Sequence, residues 1–374
     1  MEKNNKNLNV PNLRFPEFSG EWEKYSLGEV GSTIIGLTYS PSDVVKDGGT
    51  IVLRSSNIQD GEIDYKDLIF VNKKIKDTLY TRPTDLLVCA RNGSARLIGK
   101  NALIAETDSG HTFGAFMMIY RSEDNQFIHQ LLSTKRYYTQ VGENLGARIN
   151  QITTSDMNSF EFYFPKSKSE KDKIAHLLGL INLRISTQKK IIEDLKKLKE
   201  AICISQLKSH YETEYMIGDL CKPIAAKQYI SADITAAGAY PIIQQGENPI
   251  AGYTESMPFM DYKDVILFGD HTLSIYRPKA PFLLSTDGIK ILKPNDMVNR
   301  DYLYYLIYTF MPEPEGYKRY YSILKDIWVP VPNISTQKSI VGKLLSIDSK
   351  IEIEARMLEL QFQQKQYLLA SMFI

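Results

Sequence analysis

The sequence has few of the features that membrane insertion or extracellular folding requires. Its 374 residues include only three cysteines, Cys89, Cys203 and Cys221, and these lack the spacing of a zinc site or of a disulfide framework. No stretch approaches the roughly 18 consecutive apolar residues of a membrane-spanning helix. The N-terminal sequence MEKNNKNLNV also lacks the apolar region of a signal peptide. We therefore expect a soluble protein of the reducing cytoplasm.

Motifs for catalysis are missing as well. Gly99 and Lys100 are followed by Asn101 and lack the upstream glycine of a phosphate-binding loop, so ATP-driven chemistry has to come from another protein. There is no glycine-rich cofactor turn between a strand and a helix, and no Asn/Asp-Pro-Pro-aromatic stretch of an aminomethyltransferase. The five histidines have no metal-binding spacing. The sequence thus predicts no catalytic centre and no metal site.

The chain has no excess of charge of one sign. Its net charge is +1, whereas a nucleic-acid-binding protein usually has a clear positive excess on its binding face. A DNA-binding surface would therefore be local or be completed by a partner. Two alternatives remain at this point: a structural adaptor whose two domains bind proteins, and a single-chain nuclease whose centre has no recognisable motif.

What the sequence does contain is a repeat. The segment IAHLLGLINLRI at 174–185 recurs as IVGKLLSIDSKI at 340–351, so that Asn182 corresponds to Asp348. Upstream, EKYSLGEV at 23–30 recurs as TEYMIGDL at 213–220, and the strand-like segment at 85–88 recurs at 264–267. The offset between the copies falls from 190 to 179 to 166 residues, so the second copy is shorter. The pattern predicts two similar domains with different loops.

The globular parts are predicted to be rich in strands. Segments 51–54, 86–89 and 113–120 of the first copy, and 265–268 and 288–292 of the second, combine β-branched and aromatic residues with flanking turn residues. Each part closes with a tyrosine-rich helical segment, at 127–138 and at 302–310. We therefore predict an α+β fold.

Two long helices follow the globular parts. Ser169 and Ser335 are the predicted N-caps. The apolar positions recur near a 3.5-residue period, which allows the helices to pack together; independent packing of each helix on its own domain is the alternative. The predicted stripes are Ile174, Leu177, Ile181, Gln188, Leu195, Leu198 and Ile202 in the first helix, and Ile340, Leu344, Ile347, Ile351, Leu358, Phe362 and Leu369 in the second.

These features resemble a known family. The opening LRFPEFSGEWEKYSLGEV, the helix starts EKDKIAHLL and TQKSIVGKLL, and the segment YPIIQQGENPIAGYTE are similar to specificity subunits of type I restriction-modification systems. The resemblance covers nearly the whole chain, including the order of the repeats. It implies two β-rich target-recognition domains in pseudo-twofold repeat, each reading half of a bipartite site in double-stranded DNA, separated by two helices that form an antiparallel coiled coil.

The resemblance also implies a domain division and a set of partners. The boundaries are an N-terminal tail at 1–20, recognition domains at 21–165 and 209–332, and helices at 166–208 and 333–374. The helices would dock two methyltransferase (modification) subunits, to which restriction (motor-nuclease) subunits add. No cofactor would be bound by this chain, and S-adenosylmethionine, ATP and Mg would be used by the partner subunits. On helix 1, Lys196 and Lys197 are candidates for partner docking.

Candidate DNA-binding residues of the first copy lie in loops that follow the predicted strands and in the segment before the first long helix. Arginine can bind guanine, asparagine or glutamine can bind adenine, and lysine favours phosphate. The candidates are Arg54, Ser55, Asn57, Arg91, Asn92, Ser94, Arg96, Lys100, Arg148, Asn150 and Gln151.

The second copy has different residues at the corresponding places, as expected if the two domains read different bases. The candidates are Gln244, Gln245, Asn248, Tyr253, His271, Thr272, Ser274, Arg277, Lys279, Lys318, Arg319 and Tyr320. Tyr317, Tyr320 and Tyr321 could also stack on sugars or bases, although tyrosines at this spacing are more often half-buried packing residues.

Overall fold

A computed structural model describes residues 9–145, 150–208 and 213–374. The chain divides into two compact units, which we call unit 1 (Met1–Lys189 with Met357–Ile374) and unit 2 (Lys190–Arg356). Each unit contains sheets and part of each of two long helices.

The elements of unit 1 follow the chain from the N-terminal side. The strands are β1 (Glu23–Ser26), β2 (Ser32–Ile35), β3 (Val44–Val45), β4 (Thr50–Leu53), β5 (Ile58–Gln59), β6 (Glu62–Ile63), β7 (Phe70–Val71), β8 (Leu86–Cys89), β9 (Asn101–Leu103), β10 (Thr112–Phe113), β11 (Met117–Arg121) and β12 (Glu161–Phe164). The helices are α1 (Leu27–Val30), α2 (Asn125–Leu131), α3 (Lys135–Leu145), α4 (Thr154–Ser159) and the first part of α5 (Lys168–Leu207).

The elements of unit 2 repeat this arrangement in shorter form. The strands are β13 (Glu214–Met216), β14 (Cys221–Ile224), β15 (Tyr240–Ile243), β16 (Ile250–Thr254), β17 (Ile266–Gly269), β18 (Ile275–Tyr276), β19 (Leu283–Leu284), β20 (Ile289–Pro294) and β21 (Trp328–Pro330). The helices are α6 (Ile217–Leu220), α7 (Arg300–Thr309), α8 (Tyr321–Leu324) and most of α9 (Ile334–Met372).

The two units share one sheet topology. In unit 1 a four-stranded sheet has the order β2-β11-β8-β9, and in unit 2 the order β14-β20-β17-β18 follows the same path. A second sheet contains one parallel pair, β4 with β10 in unit 1 and β15 with β19 in unit 2. The remaining pair joins the first strand to the strand before the long helix, β1 with β12 and β13 with β21. The α+β fold and the two sheet-rich domains predicted from the sequence are confirmed.

Several predicted elements differ from the observed ones at their ends. The segment 113–120 is two strands, β10 and β11, separated by a turn at residues 114–116. The helical segment 127–138 is likewise divided into α2 and α3. Short apolar runs hide such breaks, because a tight turn between two buried strands can be as apolar as the strands themselves.

Within each unit the pieces of the two long helices pack against each other in opposite directions. In unit 1 the start of α5 shares a core with Leu369, Met372 and Phe373 at the end of α9, while Lys189 lies over the ring of Phe362. In unit 2 the end of α5 shares a core with the start of α9, and Lys199 pairs with Asp348 at 2.8 Å. Independent packing of each helix on its own domain is therefore wrong.

Both predicted N-caps of the long helices are wrong by two residues. Helix α5 begins at Lys168, and the hydroxyl of Ser167 accepts a hydrogen bond from the amide of Glu170. Helix α9 begins at Ile334, and Asn333 Oδ1 accepts from the amide of Thr336 at 2.9 Å. An upstream polar residue thus makes the cap in each case, so Ser169 and Ser335 lie inside the first turn.

The predicted apolar stripe holds over most of both helices. Ile174, Ile181, Gln188, Ile340, Leu344 and Leu369 are buried. Leu198 and Phe362 are 49% and 37% exposed, and their placement on the stripe is wrong. After Leu195, the next residue on the packed face of the helix is Lys199, four residues further on. The predicted stripe instead continued to Leu198, three residues on, which lies on the exposed face.

Residues 13–22, assigned to a tail and to the start of the first domain, pack on the helix ends of unit 1. The amide of Leu13 donates to the carbonyl of Ser371 at 2.8 Å. Arg14 forms an ion pair with the buried Glu170, which also accepts a hydrogen bond from the indole of Trp22. This ion pair and the buried Trp22 fix the start of α5 and the end of α9 on the first domain.

Candidate nucleic-acid interface

Three separated segments of unit 1 meet where β4 and β8 end. The side chain of Asn92, just past β8, donates to the hydroxyl of Ser55, just past β4, at 2.9 Å. The side chain of Asn150 donates to the carbonyl of Gly93 at 2.9 Å, and Gln151 forms a β-bridge with Arg91. Six candidates from three loops, counting Ser94 beside Asn92, therefore form one polar surface, which we call face 1.

Unit 2 builds the corresponding surface from the corresponding segments. The amide of His271, just past β17, donates to Oε1 of Gln245, just past β15, at 2.9 Å. The ring Nδ1 of His271 lies 3.1 Å from the carbonyl of Lys318. The hydroxyl of Ser274 accepts from the amide of Gly246 at 3.1 Å and lies 2.9 Å from that of Thr272. We call this surface face 2.

The two faces have one frame and different side chains. In both, a residue after the buried strand contacts a residue after the parallel-paired strand, as Asn92 contacts Ser55 and His271 contacts Gln245. In both, the segment before the long helix lies alongside, held by a backbone bond from Ile152 to Ala90 or from Tyr320 to Asp270. The ends of the strands thus fix where the loop residues lie, and the loop sequences determine which polar side chains each face presents.

Three candidates are wrong as base-contacting residues because their side chains are used inside the protein. Asn57 is fully buried, and its amide bonds to the backbone of Arg54, Asp64 and Asp67. Tyr320 is 1% exposed, and its hydroxyl bonds to the backbone of residues 315 and 316.

Arg277 is the third. It lies over the rings of Tyr304 and Tyr305 and pairs with Asp348 of α9 at 2.6 Å. Lys279 lies on the same side and pairs with Glu352 of α9 at 2.7 Å. The loop after β18 therefore attaches the sheet to the helix and does not point its cations toward face 2.

The other candidates lie around the two faces. Arg54 pairs with Asp67 at 2.7 Å, and Lys318 pairs with Glu315. Arg319 is exposed, 3.9 Å from Asp287. Asn248 is exposed and its carbonyl accepts from Gln244, while Tyr253 lies in β16 with its backbone bonded to Thr235. Arg148 lies outside the described residues.

Face 1 carries more free positive charge than face 2. Among the described residues, Arg91, Arg96 and Lys100 have no acidic side chain within 4 Å, and Arg91 and Arg96 are exposed. The cations beside face 2 have acidic neighbours, Lys318 through Glu315 and Arg319 through Asp287. The local positive charge that the near-neutral composition conceals is thus greater at face 1 than at face 2.

Sequence reasoning missed Phe116. Its ring is 58% exposed in the turn between β10 and β11, and the Arg91 guanidinium lies 5.2 Å from the ring centroid. The interpretation of 113–120 as one strand concealed this turn; Gly114 was the available signal. Tyr317, for which the sequence left both stacking on DNA and half-buried packing open, is 87% exposed and stacks on His271 with centroids 4.7 Å apart.

Most of the reactive side chains among the described residues are buried or paired. No cluster of three or more His, Cys, Asp or Glu side chains among them could hold a metal ion. The three cysteines are free and buried, and burial raises the pKa of the Cys89 thiol to about 11 and of Cys221 to about 12. The sequence contains two pairs of acids, Glu313/Glu315 and Glu352/Glu354, and three of these four residues are bound to lysines: Glu315 to Lys318, Glu352 to Lys279 and Glu354 to Lys350.

Comparison with known proteins finds similarity to one class of protein. Residues 209–360 match the family described as type I restriction modification DNA specificity domain. That stretch contains face 2 and much of α9, the elements that correspond to face 1 and α5 in unit 1. The resemblance to specificity subunits found in the sequence is confirmed.

Particular relatives agree with this class. Over 192 residues the chain is 26% identical to the EcoKI specificity subunit of Escherichia coli (strain K12) and 25% identical to the StySPI specificity subunit of Salmonella potsdam. Each match covers 48% of this chain and 41% of the relative, so the chain spans about two fifths of the length of the curated relatives it matches.

Solved structures share the fold. The S subunit of a type I restriction-modification system from M. genitalium aligns over 98% of this chain and 99% of its own length, with a TM-score of 0.65 and 16% identity. A chain from a structural study of type I complex assembly aligns over 93% and 96%, with a TM-score of 0.51 and 16% identity. Within the described ranges, no helix is long and apolar enough to cross a membrane.

Proposed function

We propose that this protein is the DNA sequence-specificity subunit of a type I restriction-modification complex. Each unit reads one half of a bipartite site in double-stranded DNA. The observation that supports this most is the pair of faces 1 and 2, in which one backbone frame presents different polar side chains. Two readers of different base sequences need this combination, because strands fix position and side chains distinguish base edges.

The chemistry of the complex is assigned to its partners. This chain would bind no cofactor; a methyltransferase would use S-adenosylmethionine on an adenine in each half-site, and a motor-nuclease would use ATP and Mg. The absence of a catalytic motif from the sequence supports this division, as do the buried, protonated thiols. The chain would act on DNA in the cytoplasm.

The long helices are the proposed docking sites for two methyltransferase subunits. Apolar side chains lie exposed on both helices, among them Leu180 and Leu183 of α5 in unit 1 and Ile353 of α9 in unit 2. Exposed apolar residues on a packed helix pair are typical of a surface that a partner covers. Lys197 forms an ion pair with Glu193 on its own helix, so docking depends more on the apolar residues than on the lysines.

A protein-binding adaptor is the second candidate. Met257 and Met260 in the loop after β16 are 87% and 61% exposed, and exposed methionines suit an adaptable protein-binding surface. An adaptor would have no effect on DNA methylation.

The deciding experiment is methylome mapping in cells with the gene present, with the gene deleted, and with residues 21–165 replaced by the corresponding domain of another specificity subunit. We expect a bipartite methylated motif that depends on the gene. The replacement should change one half of that motif and leave the other half intact. A change in both halves or in neither contradicts modular reading, and a methylome independent of the gene supports the adaptor.

A further inference from the structure

The most specific feature of the two faces is a planar hydrogen-bonding group stacked on an exposed aromatic ring. In face 1 the guanidinium of Arg91 lies over Phe116, and in face 2 the imidazole of His271 lies parallel to Tyr317, with 4° between the ring planes. Arg91 and His271 both follow the central buried strand of their sheet, β8 and β17. We call these the Arg91–Phe116 pair and the His271–Tyr317 pair.

The two aromatic rings come from different places in the fold. Phe116 lies in the turn before β11, whereas Tyr317 lies in the segment between α7 and α8. The corresponding turn of unit 2, between β19 and β20, is the segment STDG at 285–288 and has no aromatic residue. The two units thus contain the same device although they build it from different loops.

Each planar group is held by its backbone as well as by stacking. The amides of Ala90 and Arg91 both donate to the carbonyl of Phe116, at 2.9 and 3.0 Å. The amide of His271 is held by Gln245, and a Cβ at position 288 would lie 2.3 Å from Gln245 Nε2, so Gly288 leaves room for this conformation of the Gln245 side chain. A group fixed in this way loses little conformational freedom on binding a base.

The two groups offer opposite hydrogen-bonding chemistry. The guanidinium of Arg91 has only donors, and no described acidic residue lies within 4 Å of it. In His271, Nδ1 lies 3.1 Å from a carbonyl oxygen, which can only accept, so Nδ1 carries the proton and Nε2 of the neutral ring is an acceptor. A donor pair matches guanine O6 and N7, and an acceptor matches the amino group of adenine or cytosine.

Resting on the function proposed above, we propose that the Arg91–Phe116 pair reads a guanine in one half-site and that the His271–Tyr317 pair reads an exocyclic amino group in the other. The aromatic ring of each pair holds the plane of the reading group and packs on the adjacent sugar or base. Arg91 and His271 are thus specificity-determining residues, and Phe116 and Tyr317 are positioning residues.

The first test is methylome mapping of Arg91→Ala, His271→Ala, Phe116→Leu and Tyr317→Leu variants, in cells that hold the whole complex. Arg91→Ala should relax one position, a guanine in the wild-type motif, and His271→Ala one position in the other half. Phe116→Leu and Tyr317→Leu should partly relax the same positions. Arg82→Ala is the control, an exposed arginine that precedes β8 at the end opposite to Arg91, and it should relax none.

The second test isolates the contacts. In binding of the chain with its methyltransferase to a duplex containing the mapped motif, 7-deazaguanine at the Arg91 position should weaken wild-type binding roughly ten- to hundred-fold. It should have little effect on the Arg91→Ala complex. A base without the exocyclic amino group should act in the same way on the wild-type and His271→Ala complexes.

Three results would overturn this inference while leaving the specificity function intact. One is a gene-dependent motif that Arg91→Ala and His271→Ala leave unchanged at every position. Another is a uniform weakening by Arg91→Ala without relaxation at any position, which indicates a phosphate contact. The third is full specificity in both aromatic variants, which removes the stacked rings from the mechanism. Loss of the specificity function itself would appear as a methylome independent of the gene.

Discussion

In each unit the long helices contact the globular part at equivalent positions of the repeat, but the charges of the residues that make these contacts differ between the units. In unit 2, Asp348 of α9 accepts hydrogen bonds from Arg277, Lys199 and Tyr305, at 2.6 Å from Arg277 and Tyr305. In unit 1 the residue at the repeat position is Asn182 of α5, whose amide lies 3.4 Å from Gln130 of α2. An ionic cluster in one copy is a neutral polar contact in the other.

The lysines at the repeat positions differ in the same way. Lys199 is bound to Asp348 and lies over the rings of Tyr305 and Tyr308. Its counterpart by sequence is Lys365, whose pKa is lowered by burial. Near Lys365 lies the buried His129, whose pKa is lowered to about 4 by burial and by the charge of Lys365. Unit 2 compensates its buried charge with an acid, and unit 1 leaves buried basic groups less well compensated.

A second pair of contacts, at the helix starts, shows what the duplication has kept. Lys171 of α5 binds Asp124, which precedes α2, and Gln337 of α9 accepts from the amide of Asn299, which caps α7. Position and partner element are the same, while the residues differ. The repeat thus keeps the same pairs of elements in contact in both units. The charge of the contacting residues differs between the units, while their polar groups have hydrogen-bond partners in both.

The largest effect that separates the two units is expected from Asp348→Ala. Burial raises the pKa of Asp348, but hydrogen bonds from Lys199 and Tyr305 outweigh burial and hold the pKa below its usual value. Removing the carboxylate leaves the half-buried Lys199 and Arg277 without the acid that they share, and should cost about 3 to 4 kcal/mol of stability in unit 2. Hydrogen exchange should show faster opening of unit 2 amides. Asn182→Ala, the matched control in unit 1, should cost about 1 kcal/mol; equal effects would contradict the comparison.

The next effect is a dependence on pH confined to unit 1. His129 has a pKa of about 4 in the folded chain and about 6.5 when unfolded, so the unfolded state binds the extra proton as pH falls. Stability of unit 1 should therefore fall by about 2 to 3 kcal/mol between pH 7 and 4.5. Asp348 has a lowered pKa, so its contribution is retained above about pH 4 and lost below that.

This dependence can be read from one tryptophan. The chain has two, and in a Trp328→Phe background the buried Trp22 of unit 1 is the remaining fluorophore for urea unfolding. His129→Gln in that background should flatten the profile between pH 7 and 4.5. A profile unchanged by this substitution would assign the acid sensitivity of unit 1 to another group.

The smallest effect compares two asparagines that the sequence analysis treated alike. Asn57→Ala removes three hydrogen bonds made by a fully buried side chain of unit 1 and should cost about 2 kcal/mol. Asn248→Ala, in an exposed loop of unit 2, should change stability by less than about 0.5 kcal/mol. Thermal unfolding measures both, and a neutral Asn57→Ala would show that this amide does not support the loop.

Much of the fold could be predicted because strands and helices produce recognisable patterns among residues close together in the sequence. Strand β8 was predicted with its observed bounds, and the repeat identified both long helices and their shared apolar stripe. The predicted N-caps of α5 and α9 were wrong because several polar residues within two positions of each other could each accept the capping hydrogen bond. Only the backbone geometry selects one of them. Leu198 was assigned to the wrong face because the sequence pattern does not show whether the packed face continues after three residues or after four.

The candidate site was predicted less completely because it depends on burial. The sequence identified the loops after β4, β8, β15 and β17, but it could not distinguish Arg91, which is exposed, from Arg277, which binds Asp348 across a distance of 71 residues in the chain. The same limit applies to Asn57 and to Tyr320, whose polar groups are used by neighbouring backbone.

The sequence by itself determined the duplication, the α+β class, the two long helices and the addresses of the loops, because periodicity and repeats are properties of neighbouring residues. The tertiary structure alone decided which polar side chains form contacts within each unit and which are free to bind a partner. The physical reason is that a hydrogen bond or an ion pair depends on which groups meet in space, and residues far apart in the chain carry no local sign of their partner.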